Sequence, residues 1–195
     1  MPPPADAVPP LDAWLGELGL TTLGGTEAPD GAAFSRDLVL DGERRFDLRV
    51  TVAWVAGLGL HLWAYYGQEA MELPRRILAR LLYANAEYPM VKFAVDDDDR
   101  PMLMTELPSS AVDREELGRG LTRLLIVADR LLDETARAVA DRGELPDWSG
   151  RIGRNPDLLA RYRAEVESAL PPWEPAPTAS RRPARRMRLF GWRRP

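Results

Sequence analysis

Apolar and polar residues alternate along residues 34–66, a pattern typical of antiparallel strands that bury one face. Asp41-Gly42 predicts a tight turn between the first two strands, and Gly57 and Gly59 bracket the next turn. The three strands therefore present their apolar residues to a core on one side of a sheet. On the third strand the opposite side carries larger side chains, namely His61, Trp63 and Tyr65.

Residues 73–86 carry apolar side chains every three to four positions, which predicts an amphipathic helix that Pro89 ends. Residues 90–95 and 101–107 alternate again and predict a hairpin. Its connection is the acidic loop 96–100. The side of this hairpin that faces away from the core carries Met90, Lys92, Ala94, Met102, Met104 and Glu106.

The same helical spacing indicates three further helices. A short one covers residues 11–20, and a long one covers residues 113–142, where Asp113 and Glu116 stand at the spacing of a capping box. Asn155-Pro156 caps and starts a final helix. The apolar stripe of the long helix packs on the sheet, and extra apolar positions make it wide enough to contact a second copy. Those positions are Leu125, Leu132 and Val139.

The element order α-β-β-β-α-β-β-α predicts an α+β fold in which one antiparallel five-stranded sheet carries its helices on one face. The segment 21–32 is rich in Gly and Thr and predicts a loop. We divide the chain into a disordered lead-in (1–10), an α+β domain (11–143), a linker with a C-terminal helix packed on or near that domain (144–170), and a disordered tail rich in Pro and Arg (171–195).

Composition places this domain among soluble proteins of a reducing compartment. The 195 residues include no cysteine, which excludes disulfides and thiolate chemistry. The N-terminus lacks the pattern of a secretory signal, so we expect a cytoplasmic protein. The net charge of −4 is unevenly distributed, because residues 179–195 carry seven arginines and no acid. The remaining residues therefore carry −11, so an acidic body is joined to a basic tail.

Four short sequences carry a family resemblance: residues 81–85 (LLYAN), 92–96 (KFAVD), 103–108 (LMTELP) and 128–129 (AD). Their order is a helix ending in Asn, a hairpin with an acidic turn, a Glu-Leu-Pro exit and a long leucine-rich helix. This order resembles the YbjN-type domain family of bacterial sensory-transduction regulators. The resemblance implies the fold of type III secretion chaperones, small dimers that hold extended segments of client proteins. It implies no set of catalytic residues.

The chain offers few residues for catalysis. His61 is the only histidine and cysteine is absent, so neither a charge-relay pair nor a common zinc or iron set can form. The run 96–99 lacks the alternating ligands of a calcium loop and predicts a solvated hairpin tip. Asp129 and Asp133 lie one helical turn apart beside arginines, which favours a solvated helix face. We therefore predict a protein that is not an enzyme and uses no cofactor or metal.

The side of the sheet away from the core is the first candidate binding surface. Methionine and aromatic side chains adapt to varied apolar partners, so this side suits the binding of a protein segment. The alternative is that the final helix or a second copy covers it, and that it is ordinary core. The predicted partner-binding residues are His61, Trp63, Tyr65, Met90, Met102 and Met104.

The basic tail is the second candidate. It mixes cations with apolar side chains, which favours anionic membrane surfaces, although nucleic acid or the acidic body of the chain could also bind it. The residues concerned are Arg181, Arg182, Arg185, Arg186, Arg188, Leu189, Phe190, Trp192, Arg193 and Arg194. We predict first a chaperone-like or regulatory protein-binding module, expected to be a homodimer. The alternative is a peripheral protein anchored by this tail at the inner membrane surface, with nucleic acid the less favoured partner.

Overall fold

The computed structural model describes residues 8–29, 31–67, 73–136 and 145–172. Its elements follow the predicted order, with one additional short strand near the N-terminus. The strands are β1 (Thr22–Gly24), β2 (Ala33–Leu40), β3 (Leu48–Val55), β4 (Gly59–Tyr65), β5 (Lys92–Val95) and β6 (Pro101–Pro108). The helices are α1 (Leu11–Glu17), α2 (Arg75–Glu87), α3 (Arg114–Leu131) and α4 (Pro156–Ala169), and a 3₁₀ turn spans Ser109–Ala111.

The strands of the described residues join in one antiparallel sheet of order β1-β2-β3-β4-β6-β5. The predicted α+β architecture is confirmed, but the sheet has six strands rather than five. The additional strand is β1, which lies inside the segment 21–32 that the sequence predicts as a loop. Its three residues are too few to show an alternation, and its register against β2 is irregular, so no periodic signal marks it.

Helices α1, α2 and α3 pack on the face of the sheet that buries the apolar residues. Helix α1 contributes Leu11 and Leu15 to this core. Arg36, on the core-facing side of β2, donates hydrogen bonds of 2.7 and 2.8 Å to the Asp12 carboxylate of the same helix. Core residues contributed by the strands and by α3 include Leu38, Val52, Leu62, Leu103 and Leu121.

Helix α3 begins where the sequence predicts and ends earlier. The Asp113 carboxylate accepts a 2.7 Å hydrogen bond from the Glu116 backbone N–H, which confirms the predicted cap. The regular helix ends at Leu131, whereas the sequence predicts a helix to residue 142. At its end the Leu132 N–H bonds to the Asp129 carbonyl three residues back, a tighter turn than the α-helical ladder. Residues 137–142 lie outside the described residues.

Helix α4 packs on the outer side of α3 and not on the sheet. Tyr162 is buried against Gly118, and its hydroxyl donates a 3.0 Å hydrogen bond to Glu115. This packing explains why α3 is apolar on more than one side. Leu125 and Leu132, which the sequence offers as a contact for a second copy, are buried within the chain. Val139 lies outside the described residues.

The connection between β2 and β3 is a loop of residues 41–47, not the tight turn that Asp41-Gly42 predicts. The loop wraps around the carboxylate of Asp129, which is buried. That carboxylate accepts backbone N–H bonds from Glu43, Arg44 and Arg45 at 2.7, 3.1 and 2.7 Å. The interpretation of Asp129 as part of a solvated helix face is therefore wrong, because its carboxylate is buried and accepts three backbone hydrogen bonds.

A second set of contacts fixes the same loop to the segment before α4. The side-chain amide of Asn155 pairs with both backbone groups of Asp41, at 2.8 and 3.0 Å, so Asn155 does not cap α4 with its side chain as the sequence predicts. Arg154 donates to the buried Asp41 carboxylate at 2.7 Å. Arg151 and Arg154 bond to Asp47 and hold its pKa at about 2. The loop thus joins the sheet, α3 and the C-terminal segment.

The protonation of Asp129 gives a pH dependence that can be tested. Burial raises the pKa of this carboxyl to about 6 from its ordinary 3.8, although the backbone N–H groups partly oppose the rise. The folded chain therefore binds this proton more tightly than the unfolded chain. The stabilisation that this bound proton contributes is fully present below about pH 4, and it is lost as the pH rises through about 6. We expect the unfolding free energy of the native chain, relative to Asp129→Asn, to fall by about 2 kcal/mol between pH 4.5 and 7.5.

Urea unfolding of both chains at the two pH values measures this difference. The other carboxylates titrate in both proteins, so their effects cancel in the comparison. If the unfolding free energy of the native chain, relative to Asp129→Asn, stays constant or rises with pH, the backbone N–H groups outweigh burial and hold Asp129 ionised in the acidic range.

Candidate partner-binding face

The side of the sheet opposite the helices is continuous across the strands from β2 to β5. Strand pairing sets Trp63 between Thr51 and Met104, and sets Tyr65 beside Met102. Residues directly opposite in antiparallel strands share a face with Cβ atoms about 5 Å apart, so these side chains form one surface. We call this surface the open face, defined by His61, Trp63, Tyr65, Met102, Met104 and Glu106.

The side chains of the open face keep part of their surface in solvent. His61, Trp63, Met102 and Met104 are half-buried, and Tyr65 is exposed. They pack sideways against their cross-strand neighbours, while the alternate residues of the same strands are buried under the helices. Because α4 packs on α3, this helix does not turn the open face into core. The alternative that the final helix covers this surface is therefore wrong.

Met90 is the predicted partner-binding residue that stands apart from the others. It lies in the turn before β5 with a φ of 62°, and 58% of its surface is exposed. Its carbonyl accepts a 2.6 Å hydrogen bond from the hydroxyl of Thr105, which faces the core. The structure thus brings the other five residues together on β4 and β6 and places Met90 beside the strands rather than in them.

His61 and Glu106 add polar character to the open face. They are paired across β4 and β6, and His61 Nδ1 lies 3.8 Å from Glu106 Oε1. Both side chains are partly exposed to solvent, His61 less so than Glu106. The face is therefore not uniformly apolar: an imidazole and a carboxylate lie next to the row formed by Trp63 and Met104.

A groove runs across the open side of the sheet from β1, over β2 and β3, to the end of β4. Its volume is about 720 Å³, and its lining includes Leu23, Asp37, Arg49, Tyr65 and Arg100. The Arg100 guanidinium lies 5.7 Å from the centre of the Tyr65 ring. The Asp37 carboxylate accepts a 2.7 Å hydrogen bond from the Thr51 hydroxyl. No pattern in the sequence marks this groove, because the groove needs β1 and the residue that follows the acidic run.

The edge of the sheet at β5 is partly closed by α2. The Asn85 side chain accepts a 2.6 Å hydrogen bond from the Phe93 N–H and donates a 3.1 Å bond to the Phe93 carbonyl. These bonds satisfy backbone groups that an edge strand otherwise leaves open to another chain. Partner binding by strand addition is therefore less favoured at this part of the edge than binding on the open face.

The acidic run forms the turn between β5 and β6. Asp96 Oδ1 accepts backbone N–H bonds from Asp98 and Arg100 at 3.1 and 2.7 Å, which gives the run a structural use as a turn. Among the described residues, no group of three or more His, Asp or Glu side chains is placed to hold a metal ion. None of the helices in the described ranges is long and apolar enough to span a membrane. The predicted anionic-surface residues of the tail lie outside these ranges.

Comparison with known families identifies the domain that carries this face. The YbjN family model, described as "Putative bacterial sensory transduction regulator", matches residues 35–137, just over half of the chain. The chain belongs to the YbjN family. No curated protein sequence and no solved structure matches it significantly.

The matched range extends from β2 to just beyond α3. It contains the open face and Asp129, together with the loop that Asp129 holds. The segment 145–172, with Arg154, Asn155 and α4, lies outside the match. The family description names a regulator and no enzyme activity, and a regulatory or binding module is consistent with that description.

Proposed function

We propose that this YbjN domain is a non-enzymatic regulatory module that holds an extended segment of a partner protein on its open face. The observation that supports the proposal most strongly is the pairing of Trp63 with Met104 and of Tyr65 with Met102 on the side of the sheet away from the helices. These side chains are apolar and still partly in solvent. Covering them would remove apolar surface from water, which favours association.

The chemistry of the open face suits a protein segment. Methionine side chains are unbranched and polarizable, so they repack around ligands of different shape. Trp63 and Tyr65 offer large rigid surfaces with polar groups at their edges. An extended segment presents every second side chain to one side. Side chains on one face of a sheet are also two residues apart along each strand, so the two spacings match. The partner we propose is therefore an extended segment with apolar residues at alternate positions.

The test is affinity capture from lysate of the source cells, using the full chain and variants of it. The double variant Trp63→Ser/Met104→Gln removes the centre of the open face, and we expect it to retain at least about tenfold less partner, since two buried contacts contribute roughly 1–2 kcal/mol each. The matched control is Leu82→Ser/Tyr83→Ser on α2. It removes two side chains that are 67% and 69% exposed and lie away from this face. Quantitative mass spectrometry measures how much of each protein the two variants retain.

Equal retention by the native chain and by Trp63→Ser/Met104→Gln contradicts the proposal, provided that thermal unfolding shows both chains folded. If only the Leu82→Ser/Tyr83→Ser control loses partner retention, the binding surface lies on α2 instead. A chain lacking residues 178–195 distinguishes this proposal from that of a tail-anchored peripheral protein. In the tail-anchored case, binding of lipid or nucleic acid is lost with the tail, whereas binding of a protein segment to the open face is kept. Light scattering of the native chain and of Trp63→Ser/Met104→Gln tests whether a second copy occupies the open face. A native dimer that this variant converts to a monomer would make the face a homodimer interface.

A further inference from the structure

We infer that the groove beside Tyr65 selects acidic side chains, so that the partner segment carries Asp or Glu next to its apolar residues. This inference rests on the proposed function, because it names the chemistry of the partner that the open face holds. Two arginines line the groove, Arg49 on β3 and Arg100 before β6. Both side chains are exposed.

The two groove arginines differ from most others in the domain. Most of the other guanidinium groups in the described ranges pair with carboxylates, as Arg36 does with Asp12 and Arg119 with Glu165. Within the described ranges, no carboxylate lies within 4.0 Å of the guanidinium of Arg49 or Arg100. The groove therefore presents two cations whose forked donors are available to a carboxylate.

The position of Arg100 supports this assignment. It directly follows four aspartates in sequence, and its backbone N–H bonds to Asp96. Its guanidinium nevertheless lies over the ring of Tyr65 rather than against that acidic run. A cation on the face of an aromatic ring keeps its edge donors free for a second group. Arg100 is thus held at the groove beside the Tyr65 ring.

The balance of charge at the groove is opposite to that of the body. The residues outside the tail carry −11 in total, yet the groove lining has two arginines and one acid, Asp37. Asp37 already accepts a hydrogen bond from Thr51. The arginine tail of the chain itself carries +7 and is repelled by these cations. An acidic partner segment is the occupant that this charge pattern favours.

The arrangement also predicts the order of residues in the partner. Tyr65 lines the groove and lies two residues along β4 from Trp63, and Leu23 of β1 lines the other end of the groove. An extended segment directs alternate side chains to the sheet. We therefore expect apolar residues over Trp63 and Tyr65, followed two positions later by a carboxylate over Arg49 and Arg100.

Selection from a random twelve-residue peptide library displayed on phage tests the inference with the full chain as bait. The variants are Arg49→Gln/Arg100→Gln at the groove, Trp63→Ser/Met104→Gln on the open face, and Arg76→Gln as a control. Arg76 is an exposed arginine on α2, so this control removes charge away from the groove. The basic tail is present in every bait, so any acidic peptides that it selects appear with all of them.

We expect the native chain and the Arg76 control to enrich peptides with Asp or Glu two positions from an apolar residue, and the groove variant to lose that acidic preference. For a selected peptide, the groove variant should bind about tenfold more weakly, as two partly exposed ion pairs allow. Changing the acid of the peptide to its amide should have a similar effect on the native chain and little on the groove variant.

The outcomes separate the inference from the proposed function. Peptides that depend on Trp63 and Met104 but show no acidic preference would overturn the inference and leave the open face as the binding site. An acidic preference that survives in the groove variant would assign it to the tail and also overturn the inference. If the native chain enriches no peptide at all, the proposed function itself is contradicted.

Discussion

Asp129→Ala should destabilise the domain by about 3 kcal/mol at pH 7.5, one of the two largest effects we expect from a single substitution. The Asp129 carboxylate is the acceptor for three backbone N–H groups of the β2–β3 loop. Alanine leaves these donors without an acceptor in a site that is largely closed to water. Each unmet buried donor costs about 1–3 kcal/mol, and local movement of the loop recovers part of the sum. Urea unfolding measures the loss.

Asp133→Ala is the matched control for this prediction. Asp133 lies four residues further along, is exposed, and forms an ion pair with Arg44. An exposed pair of this kind contributes less than about 1 kcal/mol. If Asp129→Ala and Asp133→Ala destabilise the chain equally, Asp129 does not hold the loop in the way described above.

Gly118→Val should release α4 from α3 and destabilise the chain by about 3 kcal/mol. A Cβ atom at position 118 would lie 2.3 Å from the nearest ring carbon of Tyr162, closer than two carbons can approach. The Tyr162 side chain is almost fully buried, so its ring must leave its site or the helix must shift. Hydrogen exchange should then show faster exchange in residues 156–169 than in the strands, because the strands do not depend on this contact.

A double-mutant cycle makes the contact specific. In a Tyr162→Ala chain the ring is gone, so adding Gly118→Val should cost less than about 1 kcal/mol. The coupling energy between the two positions should therefore be about 2 kcal/mol or more. An equal cost of Gly118→Val in both backgrounds would show that crowding by Tyr162 is not what opposes a larger residue there.

The sheet and its two faces could be predicted from the sequence because they follow from local patterns. The alternation around Val52 and Leu62 places apolar residues toward the helices, and the structure buries both. The cap of α3 by Asp113 is equally local, since acceptor and donor are three residues apart. The same alternation predicts that His61, Trp63 and Tyr65 share the other side.

The features that the sequence analysis missed depend on residues far apart in the chain. Asp129 contacts a loop about 85 residues earlier, and locally it sits beside Arg130 like any acid on a helix surface. Asn155 and Pro156 form a good cap sequence, but the Asn155 amide has a better partner in the backbone of Asp41. Buried polar groups need complete hydrogen bonding, and only the tertiary structure shows where the partners lie.

The candidate site was predictable in part for the same reason. Periodicity gave the open face, since each strand carries its own alternation. The groove requires β1, which has no periodic signal, and the placement of Arg100 over Tyr65. Met90 continues the alternation of β5 in sequence, but its backbone turns away before the strand begins.

Site-specific photo-crosslinking in the source cells tests the central claim most directly. A photoreactive phenylalanine analogue at position 63 or 102 samples the open face, and the same analogue at position 83 samples the exposed side of α2 as a control. We predict that positions 63 and 102 both crosslink to one segment of the same partner protein and that position 83 does not. Crosslinks to that partner from position 83 alone, or none from the open face, would contradict the assignment of this face as the partner-binding surface.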